Sequence, residues 1–147
     1  MNSIRIYDMP AGRMVSSGAG MFGQEKFERF AAWFSAQPRT MCPQDFLYWD
    51  AQAQAFCWLY AYSEGMRVPE EFEIIDFPGG LYAVATDIDQ RTDMEAMRRE
   101  KDAFLLAHGL ERDDSRVELG NIITSPRAYK VLGFEQMDYY TPVKERA

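Results

Sequence analysis

The sequence predicts an α+β fold: two pseudo-symmetric strand–helix–strand–strand modules forming an antiparallel sheet, with both helices on one face and the other face free. Two observations carry this. The segment Ile6-Tyr7-Asp8-Met9-Pro10-Ala11-Gly12 recurs as Ile74-Ile75-Asp76-Phe77-Pro78-Gly79-Gly80, 68 residues later. Each copy is followed by an apolar run, Met14-Val15 and then Leu81-Tyr82-Ala83-Val84, and each run by a pattern of helical period. The offset is close to half of the 147 residues, so the chain reads as one domain, 1–147, with repeat halves at about 1–67 and 68–147.

In the first half, Ile4 to about Ser17 is a strand bent at Pro10-Ala11-Gly12, where a Pro-x-Gly kink suggests a bulge or tight turn. Gln24 to Ala36 is a helix, because Phe27, Phe30, Ala31 and Phe34 fall at i, i+3, i+4 and i+7; Gln37-Pro38 ends it. Asp45–Asp50 and Phe56–Tyr62 form a hairpin. In the second half, Phe72 to Thr86 is a long strand bent at Pro78-Gly79-Gly80. Thr92-x-x-Glu95 is a capping box for a helix whose Met94, Met97, Phe104 and Leu105 face inward and which Gly109 stops. Arg116 to about Thr124 is a strand, a loop follows around Pro126 and Gly133, and Gln136–Val143 closes the chain.

Strand side chains alternate between faces. On Phe56–Tyr62 one face holds Phe56, Trp58, Tyr60 and Tyr62, the other Cys57, Leu59 and Ala61. Small aliphatic groups suit close packing beneath a helix, which leaves the aromatic row on the uncovered face. Tyr48 shares a face with Phe46 and Asp50. The same counting buries Val117 and Leu119 under a helix and turns Glu118 toward the aromatics. Aromatic walls around one carboxylate suit a lipophilic cation, each ring contact contributing about 0.5–2 kcal/mol. An ordinary packed sheet core is the competing reading of the same stripe.

Composition excludes several classes. There are 16 Lys+Arg against 23 Asp+Glu, a net charge of −7, which disfavours direct nucleic-acid binding by this chain. No run of 18 apolar residues suggests a membrane span, and Met1-Asn2-Ser3-Ile4-Arg5 lacks the pattern of a signal peptide, so the expected compartment is the cytoplasm. Cys42, Cys57 and His108 have no metal-ligand spacing, so neither a metal nor another cofactor is expected. Aromatic residues make up 14% of the chain, with 10 Phe, 8 Tyr and 3 Trp; an acidic chain this rich in rings suits a flat or cationic guest.

Asp76-Phe77-Pro78-Gly79-Gly80-Leu81-Tyr82-Ala83-Val84-Ala85 resembles a strand signature of GyrI-like domains, the effector-binding modules of AraC-type and BmrR-type transcription regulators. The ending from Leu132 through Tyr139-Tyr140-Thr141-Pro142-Val143-Lys144 resembles that family's closing strand. Pro43-Gln44-Asp45-Phe46-Leu47-Tyr48-Trp49-Asp50 is similar to a segment of some AraC-type regulators, and Met9-Pro10-Ala11-Gly12 also fits. The resemblance implies a ligand cleft between the modules for small cationic or amphipathic aromatic compounds. It implies that a glutamate after the second helix meets the ligand's charge. The matching acid is Glu118, with Glu135 and Asp50 as the other acids. The lining it implies is Trp58, Tyr60, Tyr82 and Tyr140, to which the alternation adds Tyr48 and Phe56.

The expected function is therefore non-catalytic binding of a small organic effector, as a sensor or a regulator's effector domain, with a DNA-binding domain fused or separate and a homodimer left open. Two alternatives are a hydrolase of electrophilic small molecules using Glu118 with Tyr82 or Tyr140, and an inhibitor of the gyrase-inhibitor type that docks through its acidic surface.

Overall fold

The computed structural model describes residues 3–42 and 44–147. Met1 and Asn2 of the opening segment and Pro43 of the Pro43–Asp50 motif lie outside the described residues. The fold is α+β, with nine strands and three helices among the described residues, and it resolves into two compact units. One unit is Ala11–Pro78; the other combines Met1–Pro10 with Gly79–Ala147. The sequence repeat divides the chain near residue 67, whereas the compact units divide at the two Pro-containing bends.

The first strand, β1 (Arg5–Met9), belongs to the other unit; Ala11–Pro78 holds β2 (Gly12–Gly20), α1 (Glu25–Ser35), β3 (Asp45–Asp50), β4 (Ala55–Ala61) and β5 (Glu73–Phe77). Its strands run in the order β3-β4-β2-β5, all antiparallel. The ladder of β2 and β4 shifts register between Ser16 and Ala19, where Gly18 adopts φ 74°. Acidic Glu25 and Glu28 occupy the positive first turn of α1. Phe27 and Phe30 are buried and face β4, as the stripe predicts. The core joins Val15, Phe30, Tyr60 and Phe72, with Trp33, Phe34 and Trp58 packed against it.

The other unit holds β1, β6 (Gly80–Ile88), α2 (Met94–Ala107), β7 (Leu110–Arg112), β8 (Leu119–Ile122), α3 (Pro126–Leu132) and β9 (Gln136–Glu145). Its order β1-β6-β9-β8, with β7 paired to β9, repeats the strand order of the first unit. Each bend carries the chain from one unit to the other: β1 pairs with β6 and β2 with β5. The second bend requires glycine. Gly80 sits at φ 110°, and a Cβ there would lie 2.7 Å from the Arg116 guanidinium. At Gly12 nothing crowds a Cβ.

Several local expectations differ. Asp93, not Thr92, caps α2, its carboxylate accepting from the Ala96 N–H at 3.0 Å. Thr92 instead donates to the Ile88 carbonyl. Met94, expected inside, is exposed in the first turn, while Met97 and Leu105 are buried. The loop expected around Pro126 and Gly133 contains a helix, α3, capped by Ser125, opened by Pro126 and ended by Gly133 at φ 78°. The strand expected from Arg116 begins only at Leu119, leaving Val117 exposed.

Candidate functional site

The helix of each unit decides which sheet face is covered. In Ala11–Pro78 the aromatic row of β4 points at α1 and not away from it. The Trp58 ring centroid lies 5.6 Å from Phe27, 6.0 Å from Phe30 and 5.1 Å from Phe34, and Tyr60 stacks on Phe34 at 5.4 Å. Phe56 shares this face and meets Phe22 and Trp49. The expectation that small side chains would sit beneath the helix is reversed. A helix presenting Phe27, Phe30, Trp33 and Phe34 stands off the sheet, and large rings fill that gap better than Cys57 or Leu59. Trp58 and Tyr60 are thus packed with α1, and Phe56 with Phe22 ahead of that helix. Tyr48 lies on the opposite face, since it pairs with Cys57; burial and the Cys57 side chain push its phenol pKa upward.

Beneath α1, Asp45 accepts a hydrogen bond from the Trp58 indole N–H at 3.2 Å. Burial raises the carboxyl pKa, against the lowering effect of that bond. Burial, then the Asp45 charge, also raises the Tyr60 phenol pKa. A cleft of about 510 Å³ opens near the end of α1, among Gln37, Gln44, Tyr60, Ser63 and Met66.

In the other unit, the α2 side of the sheet is marked by Lys101, whose ammonium donates to the Tyr139 carbonyl and the Thr141 hydroxyl, both at 3.0 Å. Glu118 belongs to this side. Its side chain is 61% exposed and pairs with Arg112 at 3.2 Å. It borders a cleft of about 200 Å³ together with Lys101, Arg98 and Arg112. The expectation that Glu118 faces away from the helix is overturned. Alternation in β8 places Gly120 opposite Tyr139 and Leu119 opposite Tyr140, so Leu119 is the residue turned from α2. Cations outnumber acids in that cleft, and Glu118 is already neutralised, which suits an added cation poorly. Of the other acids, Asp50 accepts from the N–H groups of Gln52 and Ala53 in a turn, and Glu135 is half-buried just before β9.

The face opposite α2 gathers Tyr82 and Tyr140, both among the predicted lining. Their centroids are 6.3 Å apart at 80°, and Tyr7 adds a third ring 6.2 Å from Tyr140. Register puts Tyr7 opposite Tyr82, Val84 opposite Tyr140 and Thr86 opposite Asp138. Tyr82 and Tyr140 are buried, whereas Tyr7 is partly exposed on β1. Arg116 lies over the Tyr82 ring at 4.8 Å and donates to the carbonyls of Gly79, Leu81 and Val143. Burial raises the Tyr82 phenol pKa and Arg116 opposes the rise.

The carboxylate on this face is Asp138. It is buried, accepts a hydrogen bond from the Thr86 hydroxyl, and forms a 3.0 Å ion pair with Arg5. Arg5 reaches it across β6, also donating to Thr86 and Tyr7, with its guanidinium 5.2 Å from the Tyr7 ring centroid. Beside Asp138 on β8, the Asn121 amide is buried, and neither its nitrogen nor its oxygen has a hydrogen-bond partner among the described residues. Sequence reasoning missed Asp138, Arg5, Tyr7 and Asn121. The signal present was an acid inside a strand, where acids are rare, on the same alternate set as Tyr140. Among the described residues no cluster of three or more His, Cys, Asp or Glu side chains could hold a metal, and no helix is long and apolar enough to cross a membrane.

No model of a known protein family matches the sequence, and no curated protein sequence matches it. Solved structures do. A protein described as a hydrolase from Listeria innocua superposes with a TM-score of 0.66 at 12% identity, over 96% of this chain and 91% of that one. The C-terminal domain of EcmrR superposes with a TM-score of 0.66 at 8% identity, over 99% of both chains; in the longer EcmrR of an EcmrR–DNA complex the match covers 58% of that chain. SAV2435, solved with tetraphenylphosphonium bound, superposes with a TM-score of 0.53 at 8% identity, over 97% of this chain and 94% of that one. Strand order, paired bends and these superpositions agree with the resemblance seen in the sequence: the chain has the GyrI-like fold.

Proposed function

We propose that this chain is a small-molecule-binding module for lipophilic cationic or aromatic compounds, and that the ligand is received on the Tyr7, Tyr82 and Tyr140 face with Asp138 as its counter-charge. The observation that carries the reading is the buried Asp138 carboxylate beside the tyrosine rings, with a planar cation, Arg5, already resting on it. A carboxylate in such surroundings gains from a cation that brings apolar area, since desolvation strengthens the attraction. SAV2435, of the same fold, was solved with a lipophilic cation, and EcmrR is a DNA-bound protein whose C-terminal domain shares the fold, which supports a role as a sensor or effector domain with DNA binding supplied elsewhere.

The test is calorimetric titration with tetraphenylphosphonium. Saturable binding by wild type, lost in Asp138→Asn and kept in Glu118→Gln, supports the assignment. Saturable binding that survives Asp138→Asn refutes it. The hydrolase reading, favoured by the Listeria innocua protein's description, loses its proposed acid–base pair, because Glu118 and the two tyrosines sit on opposite faces of one sheet.

A further inference from the structure

We propose that Arg5 is a built-in competitor for the ligand's seat: it occupies Asp138 in the free protein and must swing out before an external cation can bind. The inference rests on the binding reading above and adds how that site is gated and what it selects.

The arrangement is unequal in a telling way. The Asp138 side chain is 7% exposed, whereas that of Arg5 is 39% exposed. The acid is fixed in the sheet on β9, held by Thr86 of β6. The base stands on β1, the outermost strand of its unit's sheet order, and crosses one whole strand to reach its partner. One Arg5 nitrogen supplies both the Thr86 contact at 2.8 Å and the Asp138 contact at 3.0 Å, and the other donates to the Tyr7 hydroxyl. An arginine held through its tip at a sheet edge can rotate into water and recover both its hydration and its rotamer freedom. Asp138 has no such escape, so its charge must be met by either Arg5 or a ligand.

This exchange sets a threshold. A small hydrophilic cation, such as an alkylammonium, offers Asp138 no more than Arg5 does and brings little apolar area. A bulky aromatic or phosphonium cation also covers the rings of Tyr7 and Tyr140, and so displaces the guanidinium. Anions gain nothing from the exchange, because the released Arg5 charge goes to solvent. The gate therefore selects lipophilic cations over ordinary cellular amines without any change in the ring walls.

The experiment is titration of the full chain with tetraphenylphosphonium and, separately, with tetramethylammonium. Arg5→Met should bind tetraphenylphosphonium about tenfold more tightly than wild type and should acquire measurable tetramethylammonium binding. Thr86→Val, which removes one of the three acceptors on the Arg5 guanidinium, should tighten binding by a smaller factor and keeps the gate testable if Arg5→Met folds poorly. The Arg5→Met/Asp138→Asn pair should bind neither cation. Equal or weaker binding of tetraphenylphosphonium by folded Arg5→Met and by Thr86→Val overturns the gate. If wild type nonetheless binds in an Asp138-dependent way, the binding reading stands without the gate; if no variant binds, both fall.

Discussion

The Trp58 indole N–H donates across 3.2 Å to the Asp45 carboxylate, beneath α1 and among the rings that fill that core. Because burial outweighs this bond, the Asp45 pKa is raised above 3.8. A carboxyl with a raised folded-state pKa stabilises the fold below its unfolded pKa, and that contribution is lost as pH rises through the folded value. Asp45→Asn keeps an acceptor for Trp58 and removes the buried charge. Its melting temperature should exceed that of wild type at neutral pH, and the difference should shrink as pH falls through the folded-state value toward 3.8 and level off below it. A lower melting temperature at neutral pH would show that the charge itself stabilises the core.

Lys101 gives the opposite pH signature. Burial lowers its pKa to about 8, with Glu118 opposing the shift and Arg112 adding to it. Between about 8 and the unfolded value of 10.5, the unfolded chain binds a proton that the folded chain does not, so stability rises with pH in that window. Above pH 10 the buried phenols of Tyr60 and Tyr82, with raised pKa values, reverse the trend. Melting temperature should climb from about pH 7.5 to 9.5 in wild type and stay flatter in Lys101→Met. Equal slopes in the two proteins would discard Lys101 as the source.

Phe30 and Tyr140 should separate stability from binding. Phe30 is fully buried in the α1 core, and Phe30→Ala should cost about 3–5 kcal/mol in urea unfolding. Tyr140→Ala should weaken tetraphenylphosphonium binding by the about 0.5–2 kcal/mol of a ring–cation contact. Unchanged affinity in Tyr140→Ala would remove that ring from the proposed site.

Asn121 carries a buried amide without partners among the described residues. An unsatisfied buried group costs about 1–3 kcal/mol, and an apolar replacement of similar shape relieves it. Asn121→Leu should therefore unfold at higher urea. A destabilised Asn121→Leu would mean that the amide is satisfied in solution, by water or otherwise.

The repeat was legible because its physical cause is local: the Pro-containing bends and the helical stripe are written in neighbouring residues. The α1 core was legible as composition and misread as direction. Alternation groups Phe56, Trp58 and Tyr60 correctly, yet it cannot say which group meets the helix; that depends on the bulk α1 presents. Glu118 was displaced for a similar reason. The strand begins at Leu119, later than its apolar pattern suggested, and the acid pairs with Arg112 of β7, a three-residue strand with no distinct period. The Arg5–Asp138 pair spans 133 positions and exists only through the register of β1, β6 and β9.

The interrupted chain path also fixes an order of assembly. The 68 residues Ala11–Pro78 form a contiguous unit, complete in strands before β6 has been synthesised. The first strand, though made earliest, must wait for Gly80–Ile88 before it has a partner. On a ribosome the middle of the protein can therefore close first, while Arg5 and Tyr7 remain without their strand neighbours until the second half emerges. A fragment ending at Pro78 should show slow amide exchange in β2 through β5 and fast exchange throughout Arg5–Met9; protection of that first strand in the fragment would contradict this order.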